Sequence, residues 1–177
     1  IGYLPESPPI HEEFTAREQL EYHGGLRNMS PAALDDRIET LLSRFELADA
    51  ADERIATYSK GMRQKTGLLQ AIMHDPDVVF LDEPTSGLDP RAARTARETI
   101  TNLAAADTTV FLSTHRLPVV EEIATDVGIL FDGDLVAEGP PGELTGDREI
   151  DGEHTLEDVF VELTTEDEYP RDESIPD

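Results

Sequence analysis

Residues 78 to 90 read VVFLDEPTSGLDP, four apolar residues running straight into two adjacent carboxylates, Asp82 and Glu83. An unbroken apolar run of this length predicts a buried central strand of a parallel sheet, delivering acids to its carboxyl end. Two carboxylates placed there suit phosphoryl chemistry: Asp82 can hold Mg²⁺ through its water shell, while Glu83 orients or deprotonates an attacking water. A pair of acids alone fits a solvated strand end equally well. The ordered run Pro84, Thr85, Ser86, Gly87, Leu88, Asp89 behind them tips the balance toward chemistry.

Working outward, Asp89 and Pro90 open a helix, and a second apolar stretch, TTVFLST (108–114), predicts another strand. Strand, helix and strand make a unit of parallel type. His115 ends that second strand. Ligands of such sheets gather at the carboxyl ends of the strands, so Asp82, Glu83 and His115 can converge on one substrate. A lone histidine there would more often be a hydrogen-bonded structural residue. Further on, LPVVEEIA (117–124) predicts a short helix, and VGILFDGDLVAEG (127–139) a hairpin turned by Gly133 and Asp134. TLEDVFVEL (155–163) is an amphipathic helix with Leu156, Val159, Phe160 and Leu163 on one face. The polar, acidic end, TTEDEYPRDESIPD (164–177), is expected to be disordered.

Upstream of the acidic strand the chain reads as mainly helical. Thr15 and Glu18 form a capping box at the start of TAREQLEYH (15–23). Ser30 caps and Pro31 opens a second helix, which places Leu34, Ile38, Leu41, Leu42 and Phe45 on one face. A third helix covers GMRQKTGLLQAIMHD (61–75) and stops before Pro76. Its start, TYSKGMRQK (57–65), offers a second anion site, because Ser59 can cap a helix whose first amides, near Gly61, point outward with the positive end of the helix dipole. By itself that feature is also an ordinary N-cap.

Composition narrows the partners. The 177 residues hold 14 Lys+Arg against 39 Asp+Glu, a formal net charge of −25, which repels nucleic acid and anionic membrane faces. Only Lys60 and Lys65 are lysines. A dense carboxylate surface with so few lysines points to a high-salt cytoplasm, where salt screens the repulsion, or more blandly to an ordinary acidic protein. There are no cysteines, so disulfides and thiolate metal sites are excluded. No apolar stretch reaches membrane-spanning length and the N-terminus lacks the pattern of a signal peptide, so the chain reads as soluble and intracellular.

Four motifs in order resemble the nucleotide-binding subunit of ATP-binding-cassette (ABC) transporters. FLDE (80–83) resembles the Walker B strand, SGLD (86–89) the loop that crosses the dimer interface, and STH (113–115) the switch histidine. YSKGM (58–62) resembles the LSGGQ signature, with Tyr58, Lys60 and Met62 departing from it and Ser59 and Gly61 keeping the positions that touch a partner's γ-phosphate. IGYLPE (1–6) resembles the glutamine-loop segment, with Glu6 in place of glutamine, as in the branch that includes drug and sodium exporters. The closing TLEDVFVEL is similar to that branch as well.

The resemblance implies an α/β fold: the C-terminal part of a P-loop ATPase domain over 1–164, a parallel sheet with an inserted helical subdomain. Within it, 15–74 would be the helical and signature subdomain, 75–139 the core and hairpin, 140–164 the C-terminal helices, and 165–177 an acidic tail. It implies ATP and Mg²⁺ as cofactors, Glu83 and His115 as catalytic groups, and Asp82 with Glu6 at the metal. Ser59, Gly61, Asp89 and Glu6 would contact nucleotide. The implied partners are a second ATPase domain and a transmembrane permease, with the subunit on the cytoplasmic face of the membrane and ATP hydrolysis driving export. The phosphate loop is expected before residue 1, since the one decoy, KGMRQKTG (60–67), has Gln64 where GxxxxGK[ST] needs glycine and follows no strand. The isolated chain is therefore expected to be inactive. The rival reading is a non-catalytic remnant that at most pairs with an intact subunit. A third is a soluble relative acting in DNA repair or translation, which the charge opposes.

Overall fold

The stretch that carries the acids forms the middle strand of a three-stranded sheet. In the computed structural model, which describes residues 1–146 and 155–165, the strands are β1 (Gly2–Leu4), β2 (Val78–Asp82) and β3 (Thr109–Ser113), parallel and in the order β1-β2-β3. The registers align Leu4 with Leu81 and Leu112, and Asp82 with Ser113. β1 is an addition to the sequence reading: three residues are too few to show a period, and pairing with β2 supplies what the local sequence lacks.

The expectation that β2 is buried throughout is corrected. Side chains alternate between faces along a strand. Val79 and Leu81 are fully buried, whereas Phe80 lies on the opposite face beside Tyr3 and Phe111. These three aromatics are exposed, at 41%, 60% and 62%, with the Phe80 and Phe111 rings 5.7 Å apart.

Two compact units divide the chain, residues 1–115 and 116–177. In the first, α1 (Ala16–Leu26), α2 (Pro31–Arg44), α3 (Lys60–Ile72) and α4 (Pro90–Ala105) join the sheet. The capping box of α1 forms as read, Thr15 and Glu18 bonding each other's main chain. Ser30 stands at the N-cap of α2 and Pro31 at its first position, but the Ser30 hydroxyl makes no cap bond. The apolar face of α2 is buried at all five expected positions, Leu34, Ile38, Leu41, Leu42 and Phe45. Together with Leu20 of α1 and Leu68, Leu69 and Ile72 of α3 they make the core beside the sheet, each large side chain contributing roughly 1.5–3 kcal/mol by burial. α3 lies hard against β1 and the segment after it. A Cβ on Gly2 would sit 2.1 Å from the Ala71 carbonyl oxygen, and one on Gly67 would sit 2.5 Å from Pro8 Cβ.

The second unit contains α5 (Leu117–Ile123), the antiparallel pair β4 (Val127–Phe131) and β5 (Asp134–Gly139), α6 (Pro141–Thr145) and α7 (Leu156–Thr164). The hairpin turns one residue earlier than read. Asp132 and Gly133, both at positive φ, form the two-residue loop, and Asp134 already pairs with Phe131. Along α7, Leu156 and Val159 are buried while Phe160 is exposed, so the apolar face is narrower than its sequence. The acidic end from residue 166 onward lies outside the described residues.

Candidate functional site

β2 and β3 end side by side, and each hands on a polar group there. Asp82 is the last residue of β2, partly exposed, and Ser113 Oγ donates to its Oδ1 at 2.7 Å. Asp82 is thereby fixed through one carboxylate oxygen at the carboxyl end of β2. Among the described residues no three His, Cys, Asp or Glu side chains gather into a metal cage. Mg²⁺ keeps waters and uses one or two carboxylates alongside phosphate oxygens, so Asp82 is of the residue type that would hold it. Glu6 is exposed two residues past β1. It therefore follows the carboxyl end of β1 in the chain.

Glu83 follows directly and turns sharply. Its φ is +47°, a left-handed conformation that costs roughly 1–3 kcal/mol for a residue with a Cβ. The turn carries the carboxylate across to β3. There Oε1 accepts from the His115 main-chain N–H at 2.7 Å and from His115 Nδ1 at 2.8 Å, and Oε2 accepts from Thr114 Oγ1 at 3.2 Å. An ionised carboxylate only accepts, so Nδ1 carries the proton in this contact. The Glu83 side chain is 13% exposed and that of His115 83%. About four lone-pair sites exist on a carboxylate; these three donors fill both on Oε1 and one on Oε2, leaving Oε2 with room for one more proton donor. A water held there is oriented by geometry fixed in advance. The sequence reading brought Asp82, Glu83 and His115 to one edge; it missed Ser113, Thr114 and Gln64, the last of which donates from Nε2 to the Glu83 carbonyl at 3.0 Å.

The second predicted site is built on backbone. Ser59 caps α3, its Oγ accepting from Met62 N at 3.2 Å, and remains exposed. Gly61 lies against the loop after β2: a Cβ there would approach the Gly87 carbonyl oxygen to 2.9 Å. Gly87, at φ +69°, is in turn covered by the Lys60 methylenes, and Lys60 Nζ reaches Ser86 Oγ at 3.5 Å. Asp89 closes the loop as N-cap of α4, accepting from Arg91 N and Ala92 N at 3.0 Å each. The Ala92 amide is the first cause that holds its carboxyl below the ordinary value; Arg91 N–H and the charge of Lys65 act in the same direction. Thus Ser59 caps the helix whose Gly61 packs on the loop that Asp89 closes, while Asp82, Glu83 and His115 stand at the strand ends. The two groups are linked through the loop 84–89.

A family model described as "ABC transporter" matches residues 1–86. An uncharacterized ABC transporter ATP-binding protein of Nostoc sp. is 42% identical over 150 residues, covering 84% of this chain and 45% of that protein. A daunorubicin resistance ATP-binding protein of Streptomyces coeruleorubidus is 36% identical over 154 residues, covering 85% and 49%. Among solved structures, the ATP-binding subunit of an ABC transporter superposes with a TM-score of 0.83 at 32% identity, covering 93% of this chain and 68% of that one. The chain spans about half the length of the curated relatives it matches.

Proposed function

This chain belongs to the ATP-binding proteins of the ABC transporter family, and from that membership we propose that the whole protein hydrolyses ATP to drive export through a separate membrane permease. Drug resistance in the name of a relative supports the direction of transport. The α/β fold, a parallel sheet carrying helices, is the one the neighbouring ATP-binding subunit shares. No helix among the described residues is long and apolar enough to cross a membrane, which suits a subunit docked on a permease at the cytoplasmic face.

The observation that carries the reading is the strand-end cluster. Glu83 follows Asp82 in the chain, and its carboxylate is tied to His115 and Thr114 with one acceptor site left on Oε2. In this role Glu83 Oε2 takes the proton of the attacking water. Thr114 and the two His115 donors fix the carboxylate's orientation, and the exposed His115 ring is available to the γ-phosphate. Asp82 and Glu6 are the side chains that would hold Mg²⁺, which when bound neutralises charge developing on the phosphates. Ser59 and Gly61 would present the α3 amides to nucleotide on a second ATPase domain, and Asp89 would carry the state of one site to the other. Residues 15–74 would then act as the signature-bearing subdomain, 75–139 as the catalytic core with its hairpin, and 140–164 as the C-terminal helices.

Turnover tests this directly. In the protein expressed from the whole gene, Glu83→Gln keeps the shape and loses the basicity, so phosphate release should fall by about 10² to 10⁴ while ATP-Mg²⁺ stays bound. Hydrolysis at the parental rate would show that Glu83 is not the base.

A further inference from the structure

Among the described residues, most of the non-glycine residues held at positive φ have a local reason for it. Asn28, Glu46, Asp75 and Asp107 come just after helices, and Asp132 sits in the hairpin turn. Glu83 instead leaves the end of β2 into a turn, with a side chain that brings none of glycine's freedom in the left-handed region. Its main chain is held by three bonds: Glu83 N–H donates to Ser113 O at 2.9 Å, and Glu83 O accepts from Ser86 N at 3.0 Å and from Gln64 Nε2 at 3.0 Å. The first two come from backbone that any residue provides. The third depends on one side chain.

That side chain is in an unusual place. Gln64 is 2% exposed, on the face of α3 that also buries Leu68, Ala71 and Ile72. A primary amide is costly to bury unless it bonds, and Nε2 donates one of its two N–H groups to the carbonyl of the residue that carries the carboxylate of the site. We propose that Gln64 is a positioning residue for Glu83. Its amide fixes the Glu83 carbonyl, the fixed carbonyl keeps the main chain left-handed, and that conformation aims the carboxylate at Thr114 and His115. The same helix begins at Ser59 and Gly61, so one rigid element carries both the amides proposed to meet nucleotide and the hold on the base. The inference rests on Glu83 acting as base.

The test uses the protein expressed from the whole gene and two near-isosteric variants. Gln64→Met removes the donor and keeps the volume; kcat should fall about tenfold with KM for ATP-Mg²⁺ unchanged. A crystal structure of that variant should show Glu83 out of the left-handed region or its carboxylate parted from His115. Gln64→Glu supplies a donor only when the new carboxyl is protonated, so its kcat relative to the parent should rise as pH falls; division by the parent removes the titration of Glu83 and His115 themselves. Parental kcat in Gln64→Met with Glu83 unmoved, or a flat ratio for Gln64→Glu, overturns the positioning role while an inactive Glu83→Gln leaves the proposed function standing. A fully active Glu83→Gln overturns both, so the two failures are told apart.

Discussion

α3 meets the loop after β2 in two places, and they are built on opposite principles. Midway along the helix the contact is directional: a buried amide donates to the Glu83 carbonyl, and the carboxylate beyond is held by three donors. At its N-terminal end Gly61 meets the Gly87 carbonyl by steric fit, next to the Lys60 side chain that lies over Gly87 and reaches Ser86. A group that must take a proton needs its lone pairs assigned. Amides that must approach a phosphate closely need empty space. The first arrangement therefore breaks when a donor is removed, the second when an atom is added.

His115 gives the larger effect. His115→Ala leaves the main-chain N–H on Glu83 Oε1 and removes the Nδ1 donor at 2.8 Å. A hydrogen bond to a charged group is worth about 1.5–3 kcal/mol, so turnover should fall by about 10- to 100-fold, toward the lower end because the ring is exposed. Affinity for ATP-Mg²⁺ should change less. Single-turnover phosphate release beside equilibrium nucleotide binding checks this; an equal loss in both would make His115 a binding group instead.

Gly61→Ala breaks the steric contact. The added methyl meets a backbone oxygen at 2.9 Å, which cannot rotate away, and forcing atoms into packed space typically costs about 1–3 kcal/mol. Ser59→Ala removes only the cap on Met62 N, worth about 1 kcal/mol. Thermal unfolding should rank Gly61→Ala below Ser59→Ala, and both below the parent. A parental Tm for Gly61→Ala would mean the loop yields and the close approach carries no weight.

What the sequence could and could not reveal follows the same division. β2, β3 and the hairpin were legible because apolar runs bounded by turn residues are local signals, and the strand ends then placed Asp82, Glu83 and His115 together by topology alone. β1 was not, since three residues acquire their conformation from pairing with β2. Ser30 reads as a cap by residue type, yet whether its hydroxyl bonds depends on a rotamer the pattern does not encode. Gln64 was visible only as the wrong residue for a phosphate loop. Its place in the stripe with Leu68, Ala71 and Ile72 was a usable hint that it faces inward, but the carbonyl it meets is 19 residues away in sequence.

The smallest effect belongs to Asp89, whose exposed carboxylate holds two amides at the start of α4. Its carboxyl lies below the ordinary 3.8, the Ala92 amide being the first cause. A carboxylate whose folded pKa is lowered stabilises the fold above its unfolded pKa, and that contribution disappears as pH falls through the folded value. The loss therefore belongs to the range from just above 3.8 downward. Asp89→Asn keeps a good N-cap oxygen and discards the charge, so it removes only the pH-dependent part. Urea unfolding of the two proteins at several pH values from 5 to 3 should show the parent ahead at the upper end, with the gap closing as pH drops; all other titrating groups are common to both and cancel. A gap that stays constant over this range would mean that Asp89 acts at α4 as a neutral cap, and that its charge is free to serve the loop it closes.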